Sequence, residues 1–220
     1  MSGVIAIDGP GGSGKSTVSR RLADRLGIVH LDTGAFYRAA TVAVLRAGID
    51  PADGPAVTAE VARHRFDQRA GAMLLDGEDV SGEIRSPEVD RAVSLVSAHP
   101  GVRHLMVEAQ RDWVRRQGGT AVVEGRDIGT VVFPDAPLKV FLEASPEERA
   151  RRRARESGLD TAHVQRELHR RDRLDRSRTT SPLRPADDAV VIDTTELSID
   201  EVVDRVVAAL DAPAQGTSTE

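Results

Sequence analysis

Residues 9–16 read Gly-Pro-Gly-Gly-Ser-Gly-Lys-Ser, a full match to the pattern G-x-x-x-x-G-K-[ST]. Few eight-residue stretches restrict a fold so tightly. The glycines let backbone N–H groups turn inward around a polyphosphate, and the following helix directs its unsatisfied N–H groups and positive dipole end at the same anion. Such a turn needs a buried strand before it and a helix after it. Both are legible. Val4–Asp8 is a short continuous apolar run, the mark of a strand buried on both faces. Lys15–Leu26 sets Val18, Leu22 and Leu26 on one side of a helix and stops at Gly27. Gly9, Pro10, Gly11, Gly12, Ser13, Gly14, Lys15, Ser16 and Thr17 are therefore the expected seat of a nucleoside triphosphate, with Lys15 on its β- and γ-phosphates and the Ser16 hydroxyl on Mg²⁺.

Beyond this turn, apolar strands alternate with helices. Strands are expected over Ile28–Leu31, Thr120–Glu124, Leu138–Leu142 and Ala189–Ile192, and helices over Gly34–Ala47, Pro146–Glu156 and Ile199–Leu210. That alternation predicts an α/β fold with a parallel sheet between layers of helices. The middle breaks the rhythm. Residues 50–55 are rich in Pro, Asp and Gly, Met73–Ile84 holds an Asp76-Gly77 turn signal for a hairpin, and helices follow near Pro87–Ser97 and Val102–Gln117. The expected organisation is a core of 1–49, 101–150 and 184–210, an insert over 50–100, a lid region over 151–183 and a disordered tail over 211–220.

Composition removes whole classes of activity. The chain has no cysteine, so no disulfide, thiolate metal site or thiol nucleophile is available. It has no asparagine, so the Asn-Lys-x-Asp loop with which switch GTPases read guanine is absent. A net charge of −5 argues against a nucleic-acid surface, and no apolar run approaches the roughly 20 residues of a membrane span. With an N-terminus that enters an apolar run without a basic region, the expectation is a soluble, cytoplasmic protein, and a monomer is expected without a sequence feature that requires it. Basic side chains are almost all arginine, with Lys15 and Lys139 the only lysines, and residues 147–178 hold 11 arginines against 7 acids. Arginine grips phosphate oxygens in two-pronged fashion, although a solvated ladder of ion pairs has the same composition.

Further segments carry a resemblance. They are Leu31-Asp32-Thr33-Gly34-Ala35-Phe36-Tyr37-Arg38, the stretch from Gly77 to Arg85, Glu124-Gly125-Arg126-Asp127-Ile128-Gly129-Thr130-Val131-Val132-Phe133-Pro134-Asp135-Ala136, and Arg171-Asp172-Arg173-Leu174-Asp175-Arg176-Ser177-Arg178. With Ile7-Asp8-Gly9-Pro10 they resemble the nucleoside monophosphate kinases, and among them the bacterial cytidylate kinase family. The resemblance implies a P-loop kinase core with a five-stranded parallel sheet, an enlarged monophosphate-binding insert and a helical lid. It implies the reaction ATP + (d)CMP → ADP + (d)CDP, with Mg²⁺ and small-molecule substrates only.

The residue types agree with those roles. Thr33 and Arg38, at the start of a helix, suit the acceptor phosphate, and Thr33 is equally an ordinary helix cap. Arg126, at the carboxyl edge of a strand, resembles an acceptor-phosphate clamp; a structural pair with Asp127 is the alternative. The resemblance assigns cytosine to Asp127, Arg103 and Ser94, the ribose to Arg171 and Asp175, and the transferring phosphates to Arg178. Arg171, Asp175 and Arg178 fall at i, i+4 and i+7 of one expected helix. Arg149 and Arg153 are candidates to stack on adenine, with Arg153 preferred. Two departures from the family pattern are mild: Thr33 stands where Ser is frequent and Glu124 where Asp is.

Overall fold

The computed structural model describes residues 3–211. Its main sheet joins β1 (Val4–Asp8), β2 (Val29–Asp32), β6 (Ala121–Gly125), β7 (Leu138–Glu143) and β8 (Val190–Asp193) in the order β2-β6-β1-β7-β8, with all four pairings parallel. The α/β, five-stranded parallel architecture is the one expected. The helices are α1 (Lys15–Leu26), α2 (Thr33–Arg46), α3 (Gly54–Val61), α4 (Pro87–Val96), α5 (Pro100–Arg116), α6 (Pro146–Ser157), α7 (Thr161–Ser177) and α8 (Ile199–Asp211).

The period of two in a strand divides β1 between two cores. Ile5 and Ile7 face the cluster formed with Val18 and Leu22 of α1 and Val202, Val203 and Val206 of α8. Val4 and Ala6 face the opposite cluster, with Phe36 and Ala40 of α2 and Val102 and Met106 of α5. β1 is therefore buried along its whole length, and its carboxyl end opens where ligands of such sheets bind.

The middle is more regular than its composition predicts. Asp53 caps α3 by accepting a hydrogen bond from the Ala56 N–H, and Pro55 sits in its first turn; the residues that read as a break are helix-start signals. The expected hairpin is one half of a three-stranded antiparallel sheet of β3 (Phe66–Arg69), β4 (Ala72–Leu75) and β5 (Glu78–Asp79). β3 escapes notice because its turn is Ala70-Gly71, both at positive φ, rather than a familiar Asn-Gly. Val57, Met73, Leu75, Val89 and Val93 of this region share one apolar cluster with the main sheet. By contrast, α6 and α7 meet over a cluster of Ala150, Ala154, Val164 and Leu168.

The tail expected over 211–220 lies outside the described residues, except that Asp211 ends α8. Among the described residues no helix is long and apolar enough to cross a membrane.

Candidate active site

The phosphate turn joins β1 to α1. Gly12 and Gly14 lie at φ 77° and 87°, and a Cβ on Gly9 would stand 2.2 Å from the Leu142 carbonyl oxygen. Glycine is required at position 9 by space and at 12 and 14 by backbone angle. The Lys15 Nζ donates to the Pro10 carbonyl at 2.6 Å. Burial, with Arg126 adding like charge, pulls this ammonium down to about 7, against the opposing pull of Glu124 and Asp8. Ser16 donates to Glu124 at 2.8 Å, and His30 Nε2 lies 3.0 Å from the other oxygen of Glu124. Burial alone would raise Glu124, but His30, Lys15 and Ser16 together hold it below the ordinary carboxylate range. Arg149 ties the turn to α7, donating to the Gly11 carbonyl at 3.1 Å and to Asp172 at 2.6 Å.

Facing this turn is a second polar surface. Arg126 donates to the Gly9 carbonyl at 2.7 Å and, through Nε, to Asp175 at 3.0 Å. Asp175 pairs through its other oxygen with Arg178 at 2.5 Å, and Arg178 also reaches the Ser97 hydroxyl at 3.1 Å. Burial would raise Asp175, but Arg126, Arg178 and the nearby Arg171 together hold it below its ordinary value. Arg171 has no carboxylate within ion-pair distance among the described residues. Burial, then Arg126 and Arg38, bring it down to about 10, the signature of cations gathered with too few anions. Deeper in, Arg103 pairs with Asp127 at 2.5 Å, both side chains almost wholly buried, and lies 5.2 Å above the Tyr37 ring. Among the described residues, Nε of Arg103 and Nε of Arg178 are buried here without a hydrogen-bond partner, and the buried Tyr37 hydroxyl lies close to the Gln110 amide.

Residues 5–212 match the family model described as cytidylate kinase. The chain belongs to the cytidylate kinase family. A protein from Nocardia farcinica named cytidylate kinase is 54% identical over 217 residues, covering 93% of both chains. Another of that name from Mycobacterium leprae is 54% identical over 205 residues, covering 91% of this chain and 92% of its own. At the level of fold, a crystal structure of shikimate kinase from Bacteroides thetaiotaomicron superposes with a TM-score of 0.51 at 13% identity, covering 96% of this chain and all of the other.

Within this family member, the contacts link several of the residues expected from sequence, with adjustments. The cap of α2 is Asp32, not Thr33; Thr33 instead donates its hydroxyl to the Glu124 carbonyl at 2.6 Å. Arg126 pairs with Asp175 rather than Asp127. Arg38 is held by Asp90 and the Ile84 carbonyl. Ser94 is buried in α4, one turn from Ser97, whose hydroxyl donates to the Ser94 carbonyl at 3.4 Å. Arg178 is the C-cap of α7 with extended backbone, so it lies beyond the helix that carries Arg171 and Asp175. Thr17 is exposed on α1. Of the two adenine candidates, Arg149 touches the phosphate turn, while Arg153 pairs with Glu156 in the last turn of α6. Tyr37, Gln110, His30 and Ser97 are not legible as site residues from sequence. Tyr37, the single tyrosine of the chain, sits inside the segment from Leu31 to Arg38, but nothing in local pattern distinguishes Gln110 from any helical glutamine.

Proposed function

We propose that this chain transfers the γ-phosphoryl group of ATP to CMP or dCMP, with ATP on the glycine turn and the monophosphate on the guanidinium surface. Family membership supports the reaction. The observation that supports the arrangement is Arg126, which contacts the glycine turn through Gly9 and the α7 carboxylate through Asp175. One side chain thus borders both seats. Residues 50–100 serve as the acceptor-binding insert and 151–183 as the lid.

A monophosphate oxygen is already anionic, so the transfer needs no general base; it needs in-line placement and neutralisation of spreading charge. Lys15, Arg126 and Arg178 supply that charge from three directions, and Arg171 and Asp175 hold the ribose. Thr33 and Arg38 border the acceptor phosphate. On the donor side, Arg153 is the residue assigned to the adenine. Water competes as acceptor, so closing α6 and α7 over the cleft before transfer protects the triphosphate.

Cytosine offers an N4 amino donor beside acceptors at N3 and O2. Asp127 suits the donor, while Arg103 and Ser94 suit the acceptors. Uracil would turn an acceptor toward a buried carboxylate, a mismatch worth on the order of 10⁴-fold in specificity.

Ser16 and Glu124 offer the hard oxygen donors that Mg²⁺ takes. When bound, Mg²⁺ neutralises phosphate charge. The protein works as a monomer in the cytoplasm, where its substrates are soluble. A coupled assay with ATP and a panel of monophosphates tests the reading: CMP and dCMP are expected to be used, and equal turnover of UMP refutes the base assignment.

A further inference from the structure

Asp8 ends β1 and directly precedes Gly9. Its carboxylate is buried, and both oxygens are taken by the acceptor side of the cleft. One accepts the Ile128 N–H at 2.8 Å and the other the Gly129 N–H at 2.8 Å. Those residues immediately follow Arg126 and Asp127. The link is doubled in the opposite direction, because Arg126 donates to the carbonyl of Gly9 at 2.7 Å. Donor turn and acceptor loop are thus clamped at adjacent residues, each side supplying what the other needs.

We propose that Asp8 is the positioning residue that fixes loop 126–129 against the glycine turn, so that Arg126 and Asp127 meet the acceptor nucleotide in register with the donor phosphate. A carboxylate is the group this task needs. It presents two acceptors and no donor, matching two parallel N–H groups. Asparagine presents one acceptor and one NH₂, and so opposes one N–H with another. Gly129 also lies against the Lys139 stem, where an added Cβ would come within 3.1 Å. The charged groups that act on Asp8 are Asp127 and Lys15, with opposite effects. Burial, partly offset by the two N–H bonds, pushes its carboxyl up to about 6. Below that pH one oxygen carries a proton toward an N–H, and the clamp loosens.

The inference rests on the acceptor-site reading above, and the test separates the two. In Asp8→Asn, KM for CMP is expected to rise about tenfold or more while KM for ATP changes less than threefold, because the glycine turn keeps its own hydrogen bonds. The phosphate of CMP also titrates near pH 6, so the diagnostic quantity is the difference between wild type and variant. The ratio of their kcat/KM values for CMP should shrink toward one as pH falls from 7.5 to 5. Unchanged KM for CMP in the variant, or parallel loss for ATP and CMP at all pH values, overturns the proposal. Arg126→Ala measured alongside tests the site: if it too leaves CMP binding intact, the acceptor reading falls instead. Should Asp8→Asn not fold, hydrogen exchange on the wild type replaces it. Protection of the Ile128 and Gly129 amides, corrected for intrinsic rates, is expected to fall between pH 7.5 and 5 while α1 stays protected. Constant protection at those two amides rejects the clamp.

Discussion

Arg126 and Asp175 are 49 positions apart, yet Nε of one lies 3.0 Å from a carboxylate oxygen of the other. The pair joins the loop after β6 to α7, and the same guanidinium reaches back to the glycine turn. Arg126→Ala is expected to lower kcat/KM for CMP by about 10³-fold or more, the scale of a lost transition-state arginine. Arg126→Lys should recover little, because an ammonium cannot serve Gly9, Asp175 and a phosphate from one planar fork. Steady-state kinetics with ATP saturating decide it, and a near-normal lysine variant would refute the fork.

Asp127→Asn separates fold from recognition. It leaves Arg103 buried beside a neutral amide, so stability should fall by about 3 kcal/mol, as when one partner of a buried pair is removed. Asparagine can present an NH₂ to the O4 of uracil, so the preference for CMP over UMP should narrow by at least about 100-fold. Urea unfolding and the two kcat/KM values measure the effects independently.

Lys15 yields a proton prediction. Its ammonium titrates near 7 in the free chain, pulled down by burial, and is therefore mostly neutral at pH 8. An arriving triphosphate raises that value, so binding must take a proton from solvent. Calorimetry of ATP binding at pH 8, in buffers of different ionisation enthalpy, should report uptake of nearly one proton per site. Lys15→Arg stays charged throughout and should report none; equal uptake by both rejects Lys15 as the source. The same depression bears on stability. The folded state holds fewer protons than the unfolded between about 7 and the ordinary 10.5, so this group favours folding increasingly as pH rises through that window.

Asp175 gives a window at the other end of the scale. Its folded value lies below the ordinary 3.8, so its contribution is present above that value and is lost as pH falls through the lower one. Asp175→Asn should therefore flatten the stability profile below pH 4, as measured by thermal melts across pH 2–6. An unchanged acid limb would show that the Arg126 and Arg178 pairs do not stabilise the fold.

The helices α6 and α7 should open before the sheet does. Their shared cluster is four small or medium side chains, and few buried apolar contacts mean a low free energy of local opening. Hydrogen exchange is expected to be faster in α7 than in α2 or α5, and to slow when ATP and CMP are added together. Exchange in α7 that is slow and indifferent to nucleotides would argue against a lid.

Much of the architecture follows from short-range rules. The strand, turn and helix of residues 4–26 obey patterns only a few residues long, and so do the alternating elements from β6 to α8. Where a local signal has two meanings, packing decides between them. Asp53 and Pro55 begin a helix as readily as they end one, and Ala70-Gly71 makes a tight turn without its usual residues.

The sequence alone determined that a strand, a glycine turn and a helix would follow one another over residues 4–26, because the glycine spacing and flanking apolar runs are properties of the chain itself. Only tertiary structure decided which partners each of the 28 arginines would meet. Arg126 meets Asp175, Arg103 meets Asp127, and Arg149 meets Gly11 across separations of 49, 24 and 138 residues. Arginines on a helix look alike in local pattern. Each acquires its role from the carboxylate or carbonyl that folding brings beside it, and from the water that folding removes.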